Sequence, residues 1–394
     1  MASRPPAATG TPAGPSKPTG ASRPSSPNRS NTSRRATSPT DPAMRAGRYL
    51  IVGIDPEGTG ELAPVHDLLG EVHPLGVILF ARNMPTSEAL LDLTGALLDR
   101  YPDLLLAIDH EGGRVDRTPE PFTHFPPAMR LVRSGGGPGA IREVARAQAT
   151  ELRAAGFHIN FAPVLDVHTN PDNPIIGDRA FGTTPEEVVH NALPYLQGLA
   201  EGGIVGCGKH FPGHGDTAVD SHLELPSIEH DVERLKSLEM VPFARAISQG
   251  IPMIMTAHVL CRSLDPSVPA SLSRPIVDGW LRRRLGYGGV VVSDDFEMRA
   301  IIDHFGIGDA TVRAVGAGND IVLVCKTPAC IREAHAALTR ALAEGTITPS
   351  EDEASERRRM KLVKRIRKLT SEHPRPGFDV VGAHGHRELA SRCG

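Results

Sequence analysis

From about residue 47 onward the chain repeats one rhythm. A short, β-branched apolar run is followed by a longer stretch whose apolar positions recur every three or four residues. Eight such runs stand out. They are YLIVGID ending at Asp55, LGVILF ending at Phe80, LLLAID ending at Asp109 and HINFAPVLD ending at Asp166. The other four are IVGCGK ending at Lys209, IPMIMTAH ending at His258, GVVVSD ending at Asp294 and DIVLVC ending at Cys325. Continuous rather than alternating apolar runs mark strands covered on both faces. The intervening stretches SEALLDLTGALLDR, GAIREVARAQATELRAAG, PEEVVHNALPYLQGLAEGG and HDVERLKSLEMVPFARAISQG carry helical spacing. Eight strand–helix units predict an α/β fold, a single (β/α)8 TIM-type barrel. The competing open, doubly wound sheet would carry a GxGxxG turn after its first strand, and none is present.

Residues 1–46 break the rhythm. They are rich in Pro, Ser, Thr and Ala without periodicity, a composition that cannot bury enough apolar surface to offset the entropy of ordering. This predicts a disordered tail over 1–46, a catalytic barrel over 47–370 and a C-terminal extension over 371–394. Seven basic residues and one acid give the tail a net charge of about +6, within a chain of formal net charge −3. A solvated tail, an upstream start preceding Met44, and a polyanion-binding tail all fit that composition. The stretch SERRRMKLVKRIRK reads as a helix with one solvated face.

With 23% charged and 40% hydrophobic residues in 394, the composition is that of a globular protein, and the near-neutral balance argues against a dedicated nucleic-acid binder. No apolar run reaches the ~20 residues of a membrane helix, and no hydrophobic core of a leader peptide opens the chain. The five cysteines are scattered without CxxC spacing, as expected for reduced thiols in the cytoplasm.

In a barrel, chemistry sits at the C-terminal ends of the strands. Those ends carry Arg82, Asn83, Asp109, Asp166, Lys209, His210, His258 and Asp294, a polar set suited to a sugar- or phosphate-sized ligand. The densest segment is GKHFPGHGDTAVDSHLELP, residues 208–226, where Pro212, Gly213 and Gly215 enforce a loop. Three readings fit it: a zinc site drawing on His210, His214 and His222, a hydrogen-bonded structural loop, and an acid/base loop. The spacing Asp220-Ser221-His222 favours the last, because a carboxylate beside an imidazole orients the ring and raises its pKa. Asp294 suits a nucleophile for an anomeric carbon, whereas the adjacent Asp295 reads as a helix N-cap. In IDHEGGRVDR, Asp109 with Arg114 and Arg117 reads either as a sugar-binding group or as a buried pair holding the turn. Arg179, in GDRAFG, is either a ligand-binding or a loop-stabilising arginine.

Together, IDHEGGRVDR, GDRAFG, KHFPGHGDTAVDSH, TAHV and VVSDDFEM resemble, in order, the β-N-acetylglucosaminidases of glycoside hydrolase family 3, NagZ type. The resemblance spans about 47–345. It implies a barrel hydrolase with no cofactor and no metal, removing terminal β-linked GlcNAc with retention. By motif, Asp294 is the nucleophile, and His222 the acid/base assisted by Asp220. Asp109, Arg117, Arg179, Lys209 and His210 bind sugar. The group's usual substrates are peptidoglycan fragments of the GlcNAc–anhydroMurNAc type, which places the expected enzyme in cytoplasmic cell-wall recycling as a monomer. One departure is SDDFEM in place of SDDLSM, so Phe296 and Glu297 are expected to reshape the wall near the N-acetyl group.

Two other readings remain. An imidazole acid/base tolerates an anionic acceptor better than a carboxylate would, which admits a GlcNAc-glycoside phosphorylase. A non-catalytic muropeptide-binding barrel would not need both Asp294 and the Asp220–His222 pair. A β-glucosidase-like relative would need a second α/β domain, for which this chain leaves little length.

Overall fold

The computed structural model describes residues 41–54, 62–217 and 225–394. Among these described residues are ten strands: β1 Leu50–Gly53, β2 Gly76–Leu79, β3 Leu105–Ile108, β4 Ile159–Asn160, β5 Val205–Phe211, β6 Ser227–Ile228, β7 Met253–Thr256, β8 Leu260–Cys261, β9 Val290–Asp295 and β10 Ile321–Val324. Eight of them close a barrel in the order β1-β10-β9-β7-β5-β4-β3-β2, every pairing parallel. The short pair β6–β8 stands outside it. Each of the eight predicted runs supplies one barrel strand. The fourth run is mostly not a strand, because Pro163 has no N–H to give the ladder; pairing resumes only at the bridge Val164–Lys209.

Period-two alternation sorts the barrel residues. Ile51, Ile78, Leu105, Ala107, Val205, Cys207, Met253, Met255, Val290, Val292, Ile321 and Leu323 form the interior cluster. Their neighbours Leu50, Val52, Leu106, Ile108, Ile254, Val291, Val322 and Val324 belong to the larger cluster shared with the helices. Extending the inward parity by two residues along β3, β5 and β9 reaches Asp109, Lys209 and Asp294. The same alternation that fills the core with apolar side chains therefore delivers charged ones to the mouth.

The helices largely match their predicted spans, with one break. The stretch around 231–249 forms two helices, Val232–Ser237 and Val241–Ser248, because Pro242 is accepted only in the first turn of a new helix. The basic stretch lies in the helix Pro349–Glu372. Its Leu362, Val363 and Ile366 join the interior cluster, so this helix packs on the barrel interior through its apolar face. Asp320, fully buried, ties it down by accepting from Ser355 Oγ at 2.8 Å and Arg358 Nε at 2.9 Å.

Residues 41–46, expected to belong to the tail, are ordered. Residues Pro42–Gly47 form a helix, with Asp41 accepting from Ala43 N at 3.0 Å as its cap. Arg45 pairs with Asp352, which also accepts from Tyr49 Oη at 2.8 Å. Burying Ala46 repays ordering that Pro/Ser/Thr composition alone does not. Residues 1–40 lie outside the described residues. Beyond Glu372, the turn Phe378–Val380 and the helix His384–Cys393 pack on the helix Gly137–Ala154, with Val381, Leu389 and Cys393 in the core.

Candidate active site

A cavity of about 290 Å³ opens at the C-terminal end of the barrel. Asp109, Arg117, Arg179, Lys209, His210 and Asp294 all line it, together with Glu111, Arg114, His214 and Met255. Six of the eight predicted site residues are thus brought to one place from β3, β5, β9 and two loops. The other two, Asp220 and His222, lie outside the described residues.

The cavity's charges form one network. Lys209 Nζ, almost fully buried, donates to Asp109 Oδ1 at 2.6 Å and to Glu111 Oε1 at 2.7 Å. Arg179 donates in a parallel fork to Glu111, Nε to Oε2 and Nη2 to Oε1, both at 2.8 Å. Glu111 is therefore the hub between the two cations. Burial alone would raise its pKa, but the Arg179 guanidinium and the Lys209 ammonium outweigh burial and hold the carboxyl well below its ordinary range. Lys209, conversely, loses to burial but is raised on balance by Asp109 and Glu111. Both cations stay charged beside a ligand, with only part of their hydrogen-bonding capacity used internally.

His210 is fixed by Asp166. Asp166, wholly buried at the end of the fourth run, receives His210 Nδ1 at 2.7 Å and the His210 and His214 backbone N–H groups at 3.1 and 2.7 Å. Burial would raise its pKa; His210 and these donors reverse the shift and keep it ionised. The carboxylate sets the tautomer of His210, leaving Nε2 for other partners. Arg117 reaches the cavity wall with its Nε buried and without a hydrogen-bond partner. The neighbouring Arg114 bonds the carbonyls of Pro174 at 3.1 Å and of Ile175, joining the Arg117 loop to the Arg179 loop.

Asp294 and Asp295 diverge. Asp294 lines the cavity, whereas Asp295 Oδ1 accepts from Glu297 N and Cys325 N, both at 3.1 Å. Asp295 is not a helix cap: the next helix, Arg299–Ile302, starts after Met298. Instead it binds β9 to β10, and burial pushes its pKa up to about 7. Phe296 and Glu297 do not themselves line the cavity. Phe296 is buried against His258, ring centroids 5.4 Å apart, and Glu297 accepts from Lys326 N and Thr327 N.

The strand-end residues Arg82, Asn83 and His258 do not line the cavity and are engaged with neighbouring elements. Arg82 donates to Cys325 O at 2.6 Å, and Asn83 to Ile54 O at 2.6 Å. His258 bridges Ser271 Oγ at 2.7 Å and Asp295 O at 3.0 Å. Among the described residues, no group of three His, Cys, Asp or Glu is placed to hold a metal ion. Sequence reasoning missed Glu111 and the His210-fixing role of Asp166. Their signals were the two-residue offset of Glu111 from Asp109 and the position of Asp166 at a run's end.

Buried carboxylates, forked cations and a strand-end aspartate around a polar cavity define a barrel enzyme site for a small polyhydroxylated ligand. The comparisons specify the family. The glycosyl hydrolase family 3 N-terminal domain profile matches residues 63–362. A β-hexosaminidase of Methylococcus capsulatus is 39% identical over 281 residues, 70% of this chain and 82% of that protein. A family 3 β-N-acetylglucosaminidase from a Paenibacillus strain superposes with a TM-score of 0.82 at 36% identity, covering 89% of this chain and 68% of that one. NagZ from Neisseria gonorrhoeae, in complex with N-trifluoroacetyl-D-glucosamine, gives 0.70 at 32% identity over 88% and 97% of the two chains. This chain belongs to glycoside hydrolase family 3. Among the described residues, no helix is long and apolar enough to cross a membrane.

Proposed function

We propose that the chain is a retaining exo-β-N-acetylglucosaminidase. Its substrates are terminal GlcNAc residues on peptidoglycan fragments of the GlcNAc–anhydroMurNAc type, and it acts as a cytoplasmic monomer in cell-wall recycling. The observation that carries the reading is Asp294 at the end of β9, facing the cavity that Asp109, Lys209, Arg179, Arg117 and His210 also line. The similarity to β-hexosaminidases and N-acetylglucosaminidases supports the choice of sugar. Five free cysteines, four of them buried, agree with a reducing compartment.

In this mechanism Asp109 accepts hydrogen bonds from sugar hydroxyls, while Lys209, Arg179 and Arg117 donate to sugar oxygens. The Asp294 carboxylate attacks the anomeric carbon as the glycosidic bond breaks, giving a glycosyl ester. His222, steered by Asp220, protonates the departing oxygen and then takes the proton of the incoming water. That water cleaves the ester with a second inversion. The motif around residues 208–226 supports the acid/base roles. His214 is a poor substitute as acid: burial, and then His210, lower its pKa to about 4, leaving it neutral.

The test is turnover of 4-nitrophenyl GlcNAc, glucose and xylose glycosides, with and without phosphate, and leaving-group dependence in His222→Ala. Selective hydrolysis of the GlcNAc glycoside is expected, with poor leaving groups suffering most in His222→Ala. Saturable binding without turnover would make the chain a sensor. A phosphate-dependent sugar phosphate product would make it a phosphorylase. Equal losses across leaving groups would remove His222 from the acid role.

A further inference from the structure

The C-terminal extension makes specific contacts to a loop of the candidate site. Glu151, on the helix Gly137–Ala154, is 2% exposed, and no arginine or lysine pairs with it among the described residues. Its carboxylate accepts from Thr123 N at 2.8 Å and Thr123 Oγ1 at 2.7 Å on one side. On the other it accepts from Gly382 N at 3.1 Å and meets His386 Nδ1 at 2.7 Å. One buried carboxylate thus joins the extension to the segment 116–125.

Apolar and steric contacts follow the same line. Phe378 meets Phe122 edge-on at 5.9 Å. Gly382, at φ 64°, sits so close to Pro121 that a Cβ would lie 2.1 Å from its carbonyl oxygen. The next link is His124, whose Nδ1 lies 2.7 Å from Asp116 Oδ2. Asp116 also accepts from Thr118 N at 3.1 Å and Thr118 Oγ1 at 2.9 Å. Arg117, flanked by these two anchored residues, is the one that reaches the cavity. The extension itself lies outside the family-matched residues.

We propose that the C-terminal extension is a clasp for sugar binding: acting through Glu151 and Thr123, it positions the Arg117 loop. Glu151 is a positioning residue, distant from the reacting atoms. The proposal rests on the assignment of Arg117 to the sugar site. A guanidinium with a free buried Nε gains most from being held in place, because ordering a long side chain on binding weakens affinity. Loosening the clasp therefore weakens sugar binding without altering the chemical step.

The test uses full-length Glu151→Gln, Thr123→Val and His386→Leu, each alone and combined with Arg117→Ala, assayed with 4-nitrophenyl GlcNAc. KM is expected to rise about fivefold in Glu151→Gln and Thr123→Val, and less in His386→Leu, with kcat within about twofold of wild type. In the Arg117→Ala background the same changes should add nothing to KM, since the loop no longer carries the guanidinium. His386→Leu alters a partly exposed residue and keeps the test informative if Glu151→Gln does not fold. Unchanged KM in the clasp variants, while Arg117→Ala raises it, would overturn the clasp and leave the site reading intact. Fully multiplicative losses, or a fall in kcat at constant KM, would also overturn it. Unchanged KM in Arg117→Ala would overturn the assignment of Arg117, and the clasp with it.

Discussion

Glu111→Gln probes the network that shapes the sugar site. The substitution keeps the side chain's size but removes the charge between Arg179 and Lys209. Arg179 loses its ionic partner in the fork, and Lys209 retains only Asp109 at 2.6 Å. Removing one partner of a buried pair costs about 3–5 kcal/mol. Because glutamine still offers one acceptor oxygen and Asp109 remains, the lower end, about 3 kcal/mol, is expected. At roughly 2 °C per kcal/mol for a domain this large, Tm should fall by about 6 °C at pH 7. The pH dependence has a definite sign. Glu111 in the folded chain titrates well below the ordinary glutamate value of 4.5. Its stabilisation is therefore complete above that value and is lost as pH falls toward the folded pKa. Glutamine has no such dependence, so the stability gap should shrink by about 1.4 kcal/mol per pH unit below that point. Displaced cations should lower kcat/KM by about 10- to 100-fold. Thermal melts from pH 3 to 8, with kinetics at pH 7, measure all three quantities. A Tm change under about 1 °C at pH 7, or a gap that widens on acidification, would refute the hub.

Asp295→Asn should retain activity within about tenfold, since its Oδ1 contacts survive in the amide and Asp294 remains. Because the folded pKa of Asp295 is raised to about 7, wild type loses stability as pH rises through that range. The Tm of Asp295→Asn relative to wild type should therefore climb between pH 4 and 8, and a flat difference would contradict the assignment. Asp166→Asn removes a charge-assisted bond from His210 Nδ1 and should raise KM by about 10- to 100-fold, measured by steady-state kinetics. Asp352→Asn weakens the acceptor shared by Arg45 and Tyr49 Oη and removes a charge 3.8 Å from the buried Arg359, and should cost roughly 1.5–3 kcal/mol in a denaturant titration with unchanged KM.

The strand runs were legible because an all-parallel barrel buries both faces of each strand, which writes itself as a continuous apolar run. The inward parity of Asp109, Lys209 and Asp294 was legible for a related reason: each terminates such a run. Glu111 was not legible as a hub, because its function depends on meeting Arg179, 68 residues away, and Lys209 across the barrel mouth. Asp295 was misread as a cap because local sequence cannot reveal that Cys325 N, on the next barrel strand's end, would claim its oxygen. The contacts of the extension after residue 371 were not legible for the same reason. Its partner, Glu151, lies 231 residues from Gly382.

The central claim is that Asp294 is the nucleophile of a retaining reaction on GlcNAc. The most direct measurement is peptide mass spectrometry of enzyme quenched during turnover of a fluorinated, activated GlcNAc glycoside that slows the second step. The account predicts a fluorinated N-acetylhexosaminyl adduct on the peptide containing VVVSDDFEMR, located at Asp294 and absent from Asp294→Asn. An adduct on Asp295 or Asp109, or turnover with inversion at the anomeric carbon and no adduct, would contradict it.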